Sequence, residues 1–291
     1  MLSPSKRSSG QRLSRTLSTV LDRGSGRGSF LAVNRLTSVF IRDTNVWQNR
    51  VMLPWNEGIR HYFVLVAEAL PSFEPQLPNQ EWMAKAFFDW VRDFFRPTIL
   101  SYTSWRNEVL IPHLFDMGMP SVHNFDIEKY EEIFADLISE EENFENPTRR
   151  AGKVREAKVR MIDLIDRLFA SMEAVMDEDE KKVPRFLISQ KNVYEEPFNQ
   201  EHMRLLFPQI TEQAKILALA LHTMPNWCGT RDIKAFRALL PGNTLFFNDI
   251  IWEKELEKKS ISLLQGIQAR RRPDFVSTKN KACQCRLFGF F

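Results

Sequence analysis

Apolar positions along this chain recur at three- and four-residue steps, and prolines divide them into segments. Residues 55–70, WNEGIRHYFVLVAEAL, predict a first helix with Ile59, Phe63, Val66 and Leu70 as its apolar stripe. Pro71, Pro75 and Pro78 then break the chain. QEWMAKAFFDWVRDFF predicts a second helix, which Pro97 is expected to kink or interrupt before TILSYTSWRNEVLI carries it on to Pro112. Asp126 or a neighbour opens a third helix over IEKYEEIFADLISE, which runs into the acidic SEEENFENP. From Pro147 a long fourth helix follows, with Val154, Ala157, Met161, Leu164, Leu168, Met172 and Val175 on its apolar face, ending near DEDEKKVP. Further helices are expected over ITEQAKILALALHTM, over a short stretch with Thr230 as N-cap, and over 245–267.

This order predicts an all-α fold, a four-helix bundle with a C-terminal helical extension and disordered tails. The divisions are 1–49 as a basic Ser-rich segment, 50–185 as the bundle, 186–268 as the extension packed on it, and 269–291 as a basic tail. Trp82, Trp90 and Trp105 fall at helical spacing and read as core.

Composition agrees with one large helical unit: 43% of the 291 residues are hydrophobic, with 23 Phe, 7 Trp and few Gly. A net charge of +3 is too small to imply nucleic-acid binding. No run of about 18 apolar residues predicts a membrane span. Cys228, Cys283 and Cys285 are too few for a disulfide framework, which points to an intracellular setting, in the cytoplasm or an organelle. Residues 1–29 hold eight Ser and six Lys or Arg against one acid, Asp22, with Leu13, Leu17, Val20 and Leu21 on one helical side. That pattern makes the segment a candidate mitochondrial or plastid transit peptide, with a solvated tail as the alternative.

The chain contains no nucleophile elbow, phosphate loop or zinc-protease motif. Its five histidines, His61, His113, His123, His202 and His222, begin no His-x-x-x-carboxylate pair; only Glu57 and His61 pair a carboxylate with an imidazole at four-residue helical spacing. The run Asp177 to Glu180 reads as a solvated helix end. Cys283 and Cys285, between Arg270–Arg272 and the apolar Phe288, Phe290 and Phe291, are candidates for lipidation or membrane contact by the tail, against a plain frayed end.

Four helices, two of them with a proline just beyond a polar-aromatic stretch, resemble the hemerythrin-like (HHE cation-binding) family over roughly 55–185, most of all in FFDWVRDFFRPTILSYTSWRNEVLIPHL. LLPGNTLFFNDIIWEKELEKKS is similar to the aromatic, then basic, ending of longer members. The resemblance implies a four-helix bundle holding two irons, with His-x-x-x-Glu pairs projecting inward from two helices. Anchored on Pro112, the second-helix pair falls on Tyr102 and Arg106; anchored on Pro184, the fourth-helix pair falls on Ala174 and Glu178. The third-helix histidine falls near Tyr130 and the first near Phe63, or on His61 after a two-residue shift.

That set, Phe63, Tyr102, Arg106, Tyr130, Ala174 and Glu178, retains one carboxylate and places a guanidinium where a bridging ligand belongs. No metal or other cofactor is therefore expected, and Arg106 with Glu178 is expected to form an internal ion pair in its place. Three functional readings stay open. The first is a non-enzymatic binding or scaffold protein, with a protein partner, that has lost di-iron. The second is an iron- or oxygen-binding member with ligands drawn from Glu57, His61 and Glu178. The third is a peripheral membrane protein attached by its tail.

Overall fold

Helix α1 (Leu53–Ala69) has Pro54 in its first turn, where the missing N–H costs nothing, and runs into a 3-10 turn at Leu70–Ser72. The computed structural model describes residues 51–145, 151–189 and 210–276. The N-terminal candidate transit segment and the tail with Cys283 and Cys285 lie outside the described residues. Those that are described are helical with turns and loops, and no strand occurs among them.

Helix α2 covers 82–116 without interruption. Both of its prolines are accommodated by widened turns. Val91–Phe95 and Arg106–Leu110 are π turns in which the residue just before each proline bonds five residues back, Arg96 N–H to the Val91 carbonyl and Ile111 N–H to the Arg106 carbonyl. The expected interruption at Pro97 is thus a change of helical pitch. Proline supplies no N–H, and the wider turn keeps its ring off the preceding turn.

Helix α3 (Ile127–Ser139) opens on Asp126, whose carboxylate accepts the Lys129 N–H at 3.1 Å. Helix α4 (Ala151–Ser189) passes through Pro184, beyond the expected end near it. Val183 and Leu187 on either side of Pro184 are buried, so packing carries the helix past the lost hydrogen bond. Helix α5 (Ile210–Thr223) follows, then α6 (Thr230–Leu239). Gly229 holds the cap position of α6 and Thr230 is its first helical residue, one place later than expected. Helix α7 covers 242–268, again with π turns, at Asn248–Trp252 and Glu257–Ile261.

The expected apolar faces are inside. Ile59, Phe63 and Val66 of α1, Leu70 of the turn that follows it and all seven stripe residues of α4 are buried. Aromatic rings tie the helices together. Phe63 meets Phe95 at 5.4 Å and Phe169 at 4.8 Å between centroids, Trp90 stacks on Phe95 at 5.0 Å, and Phe95 meets Phe134 edge-on at 5.5 Å.

The C-terminal helices share this core. Apolar residues from Val51 to Ile267 form one continuous buried cluster. Gly58 of α1 lies so close to α5 that an added Cβ would stand 3.3 Å from both the Cα and the N of Ala220. Ser260 of α7 is buried against α1 and α2, its hydroxyl 2.7 Å from the Tyr62 hydroxyl and accepting the Trp90 indole N–H at 2.6 Å. The first half of α1 is therefore enclosed on all sides, residues 51–60 all being buried, and that enclosure brings its polar residues inside as well as its apolar stripe.

Candidate functional site

Three helices deliver charged side chains to one buried locus. Asn56, Glu57 and Arg60 come from α1, Tyr102 and Arg106 from α2, and Asp177, Asp179 and Glu180 from α4. Their spacings of three and four residues, Asn56 to Arg60, Tyr102 to Arg106 and Asp177 to Glu180, place each set on one helix side.

Arg106 is fully buried and grips Asp179 with both prongs, Nε donating to Oδ2 at 2.8 Å and Nη2 to Oδ1 at 2.6 Å. Its remaining nitrogen donates to Asn107 Oδ1 at 3.0 Å and Asn124 Oδ1 at 3.2 Å, while the Phe125 ring lies 5.2 Å from the guanidinium carbon. Asn107 holds that loop in place by exchanging hydrogen bonds with the Phe125 backbone, donating to its carbonyl at 2.8 Å and accepting its N–H at 3.1 Å. The 117–126 loop is thereby a cover over the pair.

Arg60, 1% exposed, meets three carboxylates: Glu180 at 2.6 Å, Glu57 at 2.8 Å and Asp177 at 3.0 Å. Glu180 Oε1 also accepts from Asn56 Nδ2 at 2.8 Å, and Asn56 Oδ1 accepts the Tyr102 hydroxyl. A single hydrogen-bonded chain thus crosses from α2 through α1 to α4.

Two guanidinium groups face four carboxylates here, so the locus carries a surplus of negative charge when all are ionised. Burial, against the pull of Arg106, pushes Asp179 up to about 6. Burial would lower the Arg60 pKa, but Glu180, Glu57 and Asp177 outweigh it and hold that pKa above its ordinary value. Burial and the Asp179 charge raise Tyr102 well above the usual phenol value, so it stays a neutral donor. Arg60 Nε and Glu180 Oε2 are buried and find no hydrogen-bond partner. The locus is not fully satisfied, and each such atom costs about 1–3 kcal/mol.

The residues singled out from the sequence divide sharply. Phe63, Tyr102, Arg106 and Tyr130 are all buried, with Tyr130 3.2 Å from Ser171 Oγ. Ala174 is exposed, and Glu178 turns away from the locus. Glu178 Oε2 accepts the His123 N–H at 3.0 Å and lies 2.8 Å from His123 Nδ1, and Oε1 accepts from Lys182 at 2.6 Å. Although partial burial opposes them, these contacts hold Glu178 at about 2. The expected Arg106–Glu178 pair is therefore Arg106–Asp179. The inward side of α4 is Val175, Met176, Asp179 and Glu180, one residue on from the register set by Pro184.

The locus also contains groups that the sequence reading passed over. Asp179 and Glu180 were assigned to a solvated helix end, and both are buried. Arg60 and Asn56 stand four residues apart on α1, a spacing that puts them on one helix side, but Glu57, His61 and Glu68 share the helix and nothing local marks that side as buried.

The donor set does not fit a di-iron centre. Glu57 is held by Arg60, Glu178 by His123 and Lys182, and His61 on α1 is influenced by His222 on α5. Among the described residues no group of three His, Cys, Asp or Glu side chains is arranged to hold a metal ion. A permanent cation, Arg106, occupies the interior of α2 at the point where the resemblance puts a bridging carboxylate.

Compared with known proteins, the chain matches no family model, no curated protein and no solved structure. The local chemistry and the helical architecture are therefore what a functional assignment has to rest on.

Proposed function

We propose that this chain is a non-enzymatic binding or scaffold protein, built on a hemerythrin-like four-helix bundle in which ion pairs have taken the place of metal. The observation that carries this reading is the two-pronged Arg106–Asp179 pair, fully buried between α2 and α4. A metal-binding bundle uses inward carboxylates to hold cations. Here guanidinium groups supply the positive charge, and Arg60 engages three of the carboxylates. An intracellular setting is part of the reading, since three cysteines are too few for a disulfide framework.

The deciding experiment is elemental analysis of iron, manganese and zinc in protein purified without a histidine tag, together with an absorption spectrum in air. Well-folded helical protein with far less than one metal per chain is the expected result. About two irons per chain, the loading of a di-metal bundle, would overturn the assignment.

A further inference from the structure

Helix α7 is turned inside out at its start. Between Gly242 and Trp252 the buried side chains are Thr244 and Asn248, and the exposed ones include Phe246, Phe247, Ile250 and Ile251. Phe246 is 59% exposed, Ile250 and Ile251 47% each, and Phe247 44%. Thr244 Oγ1 and Asn248 Oδ1 are buried without a hydrogen-bond partner. Folding alone favours the reverse orientation, with the rings and branched chains inside and the amide in water.

The four exposed side chains repeat at i, i+1, i+4 and i+5, so they share one side of the helix. Phe246 meets Phe247 at 5.8 Å, and Phe247 stacks on the half-buried Trp252 at 6.0 Å. Lone exposed apolar residues need no explanation, but a contiguous aromatic and aliphatic group of this kind marks a contact surface.

Charge around the group selects its partner. Arg231 and Lys234 on α6 and Lys254 and Lys258 on α7 are exposed, and the Arg237–Asp249 pair joins the two helices at the group. The acid within the group, Asp249, is paired with Arg237 at 2.5 Å, and of the acids that follow, Glu255 is paired with Lys259 at 2.5 Å. Asp232 and Glu253 are half-buried and Glu257 is exposed, so among the exposed charges of α6 and α7 outside these ion pairs cations outnumber acids four to one. An apolar helix side with a cationic margin and a tryptophan at its edge matches the boundary of an anionic bilayer, where rings sit among acyl chains and Lys or Arg meets lipid phosphate.

We infer that Phe246, Phe247, Ile250 and Ile251 form a membrane-surface anchor that inserts into the headgroup layer of anionic bilayers. This site belongs to the folded helices and is separate from the C-terminal tail with its two cysteines. It is also independent of whether the core holds metal.

The test is co-sedimentation of the full chain with vesicles of phosphatidylcholine alone and of phosphatidylcholine with phosphatidylserine. Binding to the anionic vesicles is expected, weakened about tenfold or more by the double substitution Phe246→Ser and Ile250→Ser. Because both side chains are exposed, the variant should unfold at the wild-type temperature, which a parallel melt checks. Arg231→Glu with Lys234→Glu should weaken binding to the anionic vesicles while leaving the melt unchanged. Wild-type protein that stays in the supernatant with both vesicles overturns the inference. So does vesicle binding that the Phe246 and Ile250 substitutions leave intact, since the basic tails would then carry it. Light scattering that shows a dimer broken by those substitutions, without vesicle binding, would assign the surface to a second copy of the chain instead.

Discussion

Arg106 and Asp179 meet in parallel, Nε against Oδ2 at 2.8 Å and Nη2 against Oδ1 at 2.6 Å, where no water reaches either side chain. Such a pair adds little net stability over apolar packing, because desolvating both ions offsets their attraction. Removing one partner is another matter, because it strands the other's charge. Arg106→Ala and Asp179→Ala should each lower the unfolding free energy by about 3–5 kcal/mol. Glu178→Ala, which loses only contacts at the surface with His123 and Lys182, should cost no more than about 1 kcal/mol. Urea denaturation of the three variants measures all of this, and equal losses at positions 178 and 179 would contradict the geometry.

Replacing the whole pair should be far milder than breaking it. The double variant Arg106→Met with Asp179→Leu is expected to fall within about 1–2 kcal/mol of wild type, or to exceed it. The corresponding double-mutant cycle should give a coupling of several kcal/mol. A double variant as unstable as the sum of the two single alanine variants would mean that these residues do not act as a pair.

Acid should act through His61. Burial, helped by His222, lowers its pKa to about 4, below the ordinary value of 6.5. The unfolded chain therefore binds a proton in a pH range where the folded one does not. The stability this contributes is fully present above about pH 6.5 and is lost as pH falls toward 4, up to about 3 kcal/mol in all. Asp179 works in the opposite sense. Its pKa, raised to about 6, makes the fold take up a proton first, so its contribution is greatest near pH 4 and declines as pH rises through 6. His61→Phe should remove the His61 slope and leave a variant whose stability rises, relative to wild type, as pH falls from 6.5 to 4. Melting temperatures across that range are the measurement, and parallel curves would exclude His61 as the source.

Gly58 should resist enlargement. The backbone of Ala220 stands 3.3 Å from where its Cβ would lie, and backbone gives way less readily than a side chain. Gly58→Val is expected to cost about 1–3 kcal/mol by forcing α1 and α5 apart. Chemical denaturation would show it, and a valine variant of unchanged stability would indicate that α5 can move away freely.

The helices were legible because their apolar spacing is regular. Ile59, Phe63, Val66 and Leu70 and the seven-residue stripe of α4 read directly as buried, and they are. The polar locus was legible only in part, because hydropathy assigns charged residues to water by default. Arg106 was placed inside by its alignment with Pro112, and it lies there. On α4 the anchor at Pro184 gave a register one residue off, which turns a side chain by about 100° and exchanged Asp179 for Glu178. Arg60 escaped notice because the first half of its helix is enclosed all round, a property that depends on helices such as α5, more than 140 residues later in the chain. No local pattern on α1 carries that information.

Pro97 has a consequence for engineering. Lacking an N–H, it leaves the carbonyl of Asp93 without its usual helical donor, and Lys215 of α5 reaches across to donate to that oxygen while lying 4.8 Å from the centre of the Phe94 ring. A gap in one helix's hydrogen bonding has become the socket for another. Substituting a good helix former there, the usual route to a stiffer helix, would return a backbone donor to the Asp93 oxygen and set it in competition with the lysine. At this position, improving the secondary structure and keeping the tertiary structure are competing aims.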